Sequence, residues 1–191
     1  LKNRIQHIIQ ESINVKKAIF KDEALTNRIE LATSWCIHTF QNEGKVLFCG
    51  NGGSAADAQH LAAEFSGRFY KDRAPLFAEA LHVNTSFLTA VANDYSFERT
   101  YARMVQAMGK PGDILFGITT SGNSSNVILA IEEAKRLGMK TIAMTGASGG
   151  QVRDICDLLL NMPSIDTPRI QEAHIMVGHI ICELVEADLF D

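Results

Sequence analysis

An α/β fold, a central parallel sheet flanked by helices with additional helices leading the chain, is predicted by three observations. Short apolar runs alternate along the chain with stretches of helical periodicity. The best of these runs are nearly continuous in apolar character, as strands covered on both faces are. The two clearest each end in a loop of Gly, Ser, Thr and Asn that leads into a helix, the pattern of strand–helix–strand units.

Taken in order, apolar residues recur at helical spacing from about Ile5 to Phe20 and from Ala24 to Phe40, giving two leading helices, the second stopped by Gly44. Lys45 to Gly50 is a strand, and Ala55 to about Ser66 the helix after it. Leu76 to Val83 fits another strand. Asp113 to Ile118 is a strand, Asn126 to Leu137 a helix ended by Gly138, and Lys140 to Thr145 a strand closed by Gly146, Gly149 and Gly150. Asp157 to Met162 carries a weaker strand pattern. Pro168 suits the first turn of a last long helix reaching about Asp188. No low-complexity linker or composition break divides the chain, so residues 1–191 are expected to form one domain that includes the leading helices, 1–43. These two helices and the last exceed what one layered sandwich needs, so some are expected to pack against other copies of the chain.

Of 191 residues, 46% are apolar and 21% charged, a globular balance with enough chain for a sizeable core. The net charge is -4 with no dense run of Lys and Arg, which argues against nucleic acid as the main ligand. A phosphorylated ligand would need only a local anion site. Cys36, Cys49, Cys156 and Cys182 form no CxxC pair, so reduced thiols are expected rather than a disulfide framework or a Cys-rich zinc site. No apolar run reaches the ~20 residues of a membrane span, and Leu1–Gln10 reads as amphipathic rather than as a signal peptide. A cytoplasmic protein, without a membrane partner, is the expectation.

Three segments carry chemistry. The first is Thr119-Thr120-Ser121-Gly122-Asn123-Ser124, hydroxyls clustered where a strand gives way to a helix. Free N–H groups and the positive end of the helix dipole suit a phosphate there, although a hydroxyl-rich cap without a ligand has the same composition. The second is Gly50-Asn51-Gly52-Gly53-Ser54, which is neither a dinucleotide fingerprint nor a Walker A loop; no nucleotide cofactor is expected. The helix after it carries His60 and Glu64 four residues apart, on one face. That spacing serves a metal or, equally, a surface ion pair. The third is Arg169-Ile170-Gln171-Glu172-Ala173-His174, leading to His179. Gln171 and His179, eight residues apart, can face a common region, but spacing alone does not choose between His174 and His179. Asn93-Asp94, after an apolar run, is either a helix end or a pair of acceptors for sugar hydroxyls.

Together these blocks resemble the sugar-isomerase (SIS) fold family, and within it the sedoheptulose 7-phosphate isomerase branch. The resemblance runs through nearly the whole chain, over Gly50 to His60, Glu64 with Gly67-Arg68, Ala92 to Tyr95, Thr120 to Ser124 and Arg169 to Glu172. Each block is weak alone; the ordered set is specific. The resemblance implies an aldose–ketose isomerase that converts D-sedoheptulose 7-phosphate to D-glycero-D-manno-heptose 7-phosphate through an enediol, the first step towards bacterial ADP-heptose and the lipopolysaccharide core. It implies Glu64 as general base and His179 as partner acid. It further implies Asn51, Gly52, Gly53, Glu64, Asn93, Asp94, Thr119, Thr120, Ser121, Ser124 and Gln171 as contacts to the sugar phosphate, zinc on His60, Glu64, Gln171 and His179, and a homotetramer. Two departures stand out. Pro168 occupies a place where some relatives carry an acidic residue, and Thr119 one where Ser is more usual. The alternative is a non-catalytic protein of the same fold that binds the replication initiator; a regulatory sugar-phosphate sensor is a further rival. Neither needs the acid–base pair that Glu64 and His179 supply.

Overall fold

The computed structural model describes residues 1–190. Two helices of similar length lead the chain, α1 (Lys2–Lys21) and α2 (Glu23–Gln41). Asp22 separates them because its carboxylate accepts the N–H of Leu25 at 2.9 Å, capping α2. On α2, Leu25, Ile29, Ala32, Cys36 and Thr39 are buried at helical spacing, the stripe that the sequence periodicity predicts.

The strands are β1 (Val46–Gly50), β2 (Ala78–Ala80), β3 (Ile114–Ile118), β4 (Lys140–Thr145) and β5 (Leu158–Asn161). All pair in parallel in the order β2-β1-β3-β4-β5, with Val46 opposite Ile114 and Ile114 opposite Lys140. Between them run α3 (Gly53–Ser66), α4 (Thr85–Asp94), α5 (Thr100–Met108) and α6 (Ser125–Arg136), and α7 (Thr167–Phe190) closes the described chain. Because strand side chains alternate between faces, Val46, Phe48, Phe116, Ile142 and Leu160 enter one layer with α2, α3 and α7. Leu47, Cys49, Leu115 and Ala143 enter the other with α5 and α6. Phe48 stacks on Phe116 with ring centroids 5.0 Å apart at the centre of the first layer; truncating either to Ala would cost about 3–5 kcal/mol.

Most predicted elements recur with shifted ends. The Leu76–Val83 strand narrows to Ala78–Ala80, and the Asp157–Met162 strand to Leu158–Asn161. The helix predicted from Ala55 begins at Gly53. Helix α5 and the start of α4 occupy a stretch in which no helix is predicted, while the end of α4 at Asp94 matches the helix end that Asn93-Asp94 offers as one alternative. The reason is physical: at 10 and 9 residues both are under three turns, too short for a helical period to stand out in the sequence.

Candidate active site

Helix α3, which follows β1, covers one face of the sheet, and α6, which follows β3, covers the other. The two strands are neighbours, so their carboxyl ends part into a crevice, the topological switch point at which open α/β sheets bind ligands. A cavity of about 120 Å³ occupies it, lined by Asn51, Ser54, Ile118, Thr119, Thr120, Ser124 and Gln171.

The walls are held by side chains that themselves bond to backbone or to each other. Asn51 and Asn126 exchange two amide hydrogen bonds, of 2.9 and 2.8 Å. The Tyr101 hydroxyl donates to the Gly50 carbonyl. Thr119 Oγ1 and Ser124 Oγ lie 2.9 Å apart, and Ser124, the residue before α6, makes no side-chain cap bond to the helix backbone. The α6 amino end thus starts beside the cavity, where Ser124 lines it, with its first-turn N–H groups uncapped by the Ser124 side chain. Gly122 has a left-handed φ of 71°. A Cβ there would lie 2.0 Å from the Gly149 carbonyl oxygen, so the loop packs backbone to backbone against the turn after β4. Among the described residues no Lys or Arg lines this cavity; hydroxyls, amides and a helix amino end surround it, an arrangement whose chemistry suits an anion.

The second part of the site lies further along α3. His60 Nε2 and Glu64 Oε1 are 2.9 Å apart. The His60 and His179 rings meet edge to face with centroids 5.0 Å apart. One ligating atom from each of His60, Glu64 and His179 lies within 4.8 Å of the others. His179 Nε2 is buried with no hydrogen-bond partner. Two imidazoles and a carboxylate around an unpartnered ring nitrogen are a donor set that fits zinc.

His174 has a different fate. It is wholly buried, its Nε2 donates to the Thr145 carbonyl at 3.1 Å, and burial pushes its pKa down to about 4, against the opposing effect of that bond. The two histidines that spacing leaves undivided are thus distinct: one packs in the core and the other meets His60.

Gln171 is placed at the cavity end. Its amide lies against Gly53, so closely that a Cβ on Gly53 would be 2.5 Å from Gln171 Nε2. Gly53 precedes His60 by seven residues, about 10 Å along the helix axis. Gln171 thus ties α7 to the amino end of α3, beside the cavity. Thr120 and Ser121 also border a neighbouring cavity of about 250 Å³, and Gly52 carries the positive φ of 56° that turns β1 into α3. Asn93 and Asp94 stand apart, exposed at the carboxyl end of α4 and bonded to each other at 2.9 Å.

Two residues emerge that have no assigned role in the sequence reading. Ser54 lines the cavity from the first turn of α3, a hydroxyl whose only sequence signal is its place directly after the two glycines. Asp57, one turn before His60, is half-buried with Oδ2 lacking a hydrogen-bond partner. Burial raises its pKa to about 6, while the charge of His60 acts the other way.

Residues 9–146 match the SIS domain family. The chain is 52% identical to the phosphoheptose isomerase of Aneurinibacillus thermoaerophilus over 97% of this chain and 94% of that relative. Among solved structures, it resembles a phosphoheptose isomerase from Neisseria gonorrhoeae with a TM-score of 0.92 and 43% identity, covering 98% of this chain and 99% of the other. A phosphoheptose isomerase from Francisella tularensis gives a TM-score of 0.93 at 38% identity, over 97% of each chain.

Proposed function

The chain belongs to the phosphoheptose isomerases of the SIS family, and from that membership we infer an enzyme that interconverts D-sedoheptulose 7-phosphate and D-glycero-D-manno-heptose 7-phosphate. The observation that carries the site reading is the spacing of its two parts. An anion cradle without basic side chains lies at the amino end of α3, and a His–Glu–His group stands about two helical turns further along. That separation is comparable with an extended seven-carbon chain ending in phosphate, and it supports binding of the phosphate at Thr119–Ser124 with C1 and C2 beside Glu64.

The chemistry moves a carbonyl from C2 to C1. In this reading the Glu64 carboxylate takes a proton from C1 of the open ketose, leaving an enediol, and returns it at C2. His179 transfers the proton that must leave O1 and the one that must reach O2, a task suited to an imidazole. Asn51, Gly52, Gly53, Thr119, Thr120, Ser121, Ser124 and Gln171 hold the phosphate and hydroxyls, and Asn93 and Asp94 contribute from outside the cavity walls. Zinc on His60, Glu64, Gln171 and His179 would supply Lewis-acid polarisation of the carbonyl oxygen.

The wider reading is that residues 1–191 act as one SIS domain, because α7, beyond the matched 9–146, supplies Gln171 and His179. A homotetramer is supported by an apolar groove of about 380 Å³ between α1, α2 and α7. Exposed Ile5, Ile9, Ile13 and Phe20 along α1 extend that surface. No helix among the described residues is long and apolar enough to cross a membrane. The four free cysteines, three of them buried, agree with a reducing, cytoplasmic setting. Incubation with sedoheptulose 7-phosphate, followed by NMR for an aldoheptose 7-phosphate, tests the function; a folded protein that leaves the ketose unchanged would refute it.

A further inference from the structure

Glu64 stands in the last turn of α3, where helix carbonyls have no partner within the helix and the end is prone to fray. Arg73, in the segment after α3, closes that end. Its Nη2 donates to the Glu64 carbonyl at 2.9 Å and its Nη1 to the Phe65 carbonyl at 2.9 Å. The same guanidinium reaches the other helix of the site, because Nε donates to Glu186 Oε1 at 2.8 Å. Glu186 lies on α7 seven residues after His179, two turns along the helix.

Glu186 uses its remaining acceptor capacity on the intervening backbone. It accepts the N–H groups of Phe69, Tyr70 and Lys71 at 3.0, 2.7 and 3.0 Å. This fixes the chain at Phe69, whose ring packs on His179 with centroids 5.7 Å apart. Both side chains of the ion pair are 2% exposed. A buried ion pair is a poor source of stability, since desolvation offsets most of the attraction. Its best-attested use is to fix one arrangement against others.

We propose that the Arg73–Glu186 pair is a positioning device for the reaction, setting Glu64 and the His179 ring in register by tying the end of α3 to α7 and holding Phe69 against the imidazole. The proposal rests on Glu64 and His179 being the acid–base pair. Neither Arg73 nor Glu186 touches substrate; they act through the two residues that do.

The test compares Glu186→Gln, Arg73→Lys and Phe69→Leu with Glu64→Gln, using sedoheptulose 7-phosphate and measuring kcat and KM separately on protein shown to be folded by circular dichroism. Misplacement by about an ångström lowers turnover by ~10–100-fold. The expected result is a kcat loss of that order in the three positioning variants with KM changed less than about twofold, because the phosphate cradle lies at the other end of α3. Should the ion-pair variants fail to fold, Phe69→Leu decides alone, since it alters the contact with His179 and leaves the pair intact. Folded positioning variants with native kcat, or with KM raised and kcat unchanged, overturn the proposal. A fully active Glu64→Gln instead refutes the acid–base reading beneath it, so the two failures are separable.

Discussion

Glu64 on α3 and His179 on α7 meet across two helices that run in the same direction, their ligating atoms lying, with that of His60, within 4.8 Å. The close approach depends on Gly178, where a Cβ would lie 2.5 Å from Leu61 Cδ1. With no side chain at position 178, α7 can lie against α3 one residue before the imidazole. Residues 115 positions apart in the chain (179 − 64 = 115) are thus brought into one site.

The phosphate end should be separable from the chemical end. In Ser121→Ala combined with Ser124→Ala, two hydroxyls are removed without added bulk, and the 2.9 Å contact between Thr119 and Ser124 is lost. Loss of one or two hydrogen bonds to a charged ligand, at about 1.5–3 kcal/mol each, predicts KM at least tenfold higher with unchanged melting temperature. Steady-state kinetics with sedoheptulose 7-phosphate will check this; an unaltered KM would move the anion site elsewhere.

The His–Glu–His group should hold a metal ion. Purified protein is expected to bind about one zinc per chain, measured by elemental analysis after dialysis against zinc. His60→Ala should reduce that stoichiometry sharply, and metal-stripped protein should regain activity on zinc addition. Full activity without metal, together with no zinc uptake by the native protein, would contradict the expectation.

The fold was largely legible because the strands β1, β3 and β4 are buried on both faces and so nearly continuous in apolar residues. Helices α4 and α5 escaped because they are short, 10 and 9 residues, under three turns and too few for a helical period to stand out. At the site, the Gly-rich and hydroxyl-rich loops announce themselves by composition. The pairing of His60 with His179 does not, since it depends on how α3 and α7 pack. Likewise, a histidine in an apolar stretch gives no sign of its partner; the Thr145 carbonyl beside the buried His174 and the His60 ring beside His179 separate the two only once the chain is folded. Asp57 shows the same limit, because nothing in its sequence surroundings marks its carboxyl as half-buried.

His174 should make stability depend on pH. Burial holds its pKa near 4, against an ordinary value of 6.5, so it binds its proton less readily folded than unfolded. Its contribution is complete above about pH 6.5 and is lost as pH falls from there towards 4, by at most about 3 kcal/mol. His174→Gln retains an N–H donor for Thr145 but does not titrate. Urea unfolding at pH 7 and pH 4.5 should show native protein losing more stability than the variant; equal losses would show that His174 does not titrate as argued.

The apolar surface of α1 and the groove beside it should be covered in solution. Sedimentation is expected to give a tetramer, and Ile9→Asp with Ile13→Asp should shift it towards smaller species with lower activity. A fully active native monomer would rule out assembly as a requirement of the site.

The most direct test of the account is turnover by Glu64→Gln. The substitution keeps size and hydrogen-bonding capacity but removes the carboxylate base, and a general base contributes typically ~10²–10⁴-fold. With folding confirmed and sedoheptulose 7-phosphate still bound, kcat for aldoheptose formation is expected to fall by at least ~100-fold. Isomerisation by Glu64→Gln at the native rate would contradict the assignment of Glu64 as the base.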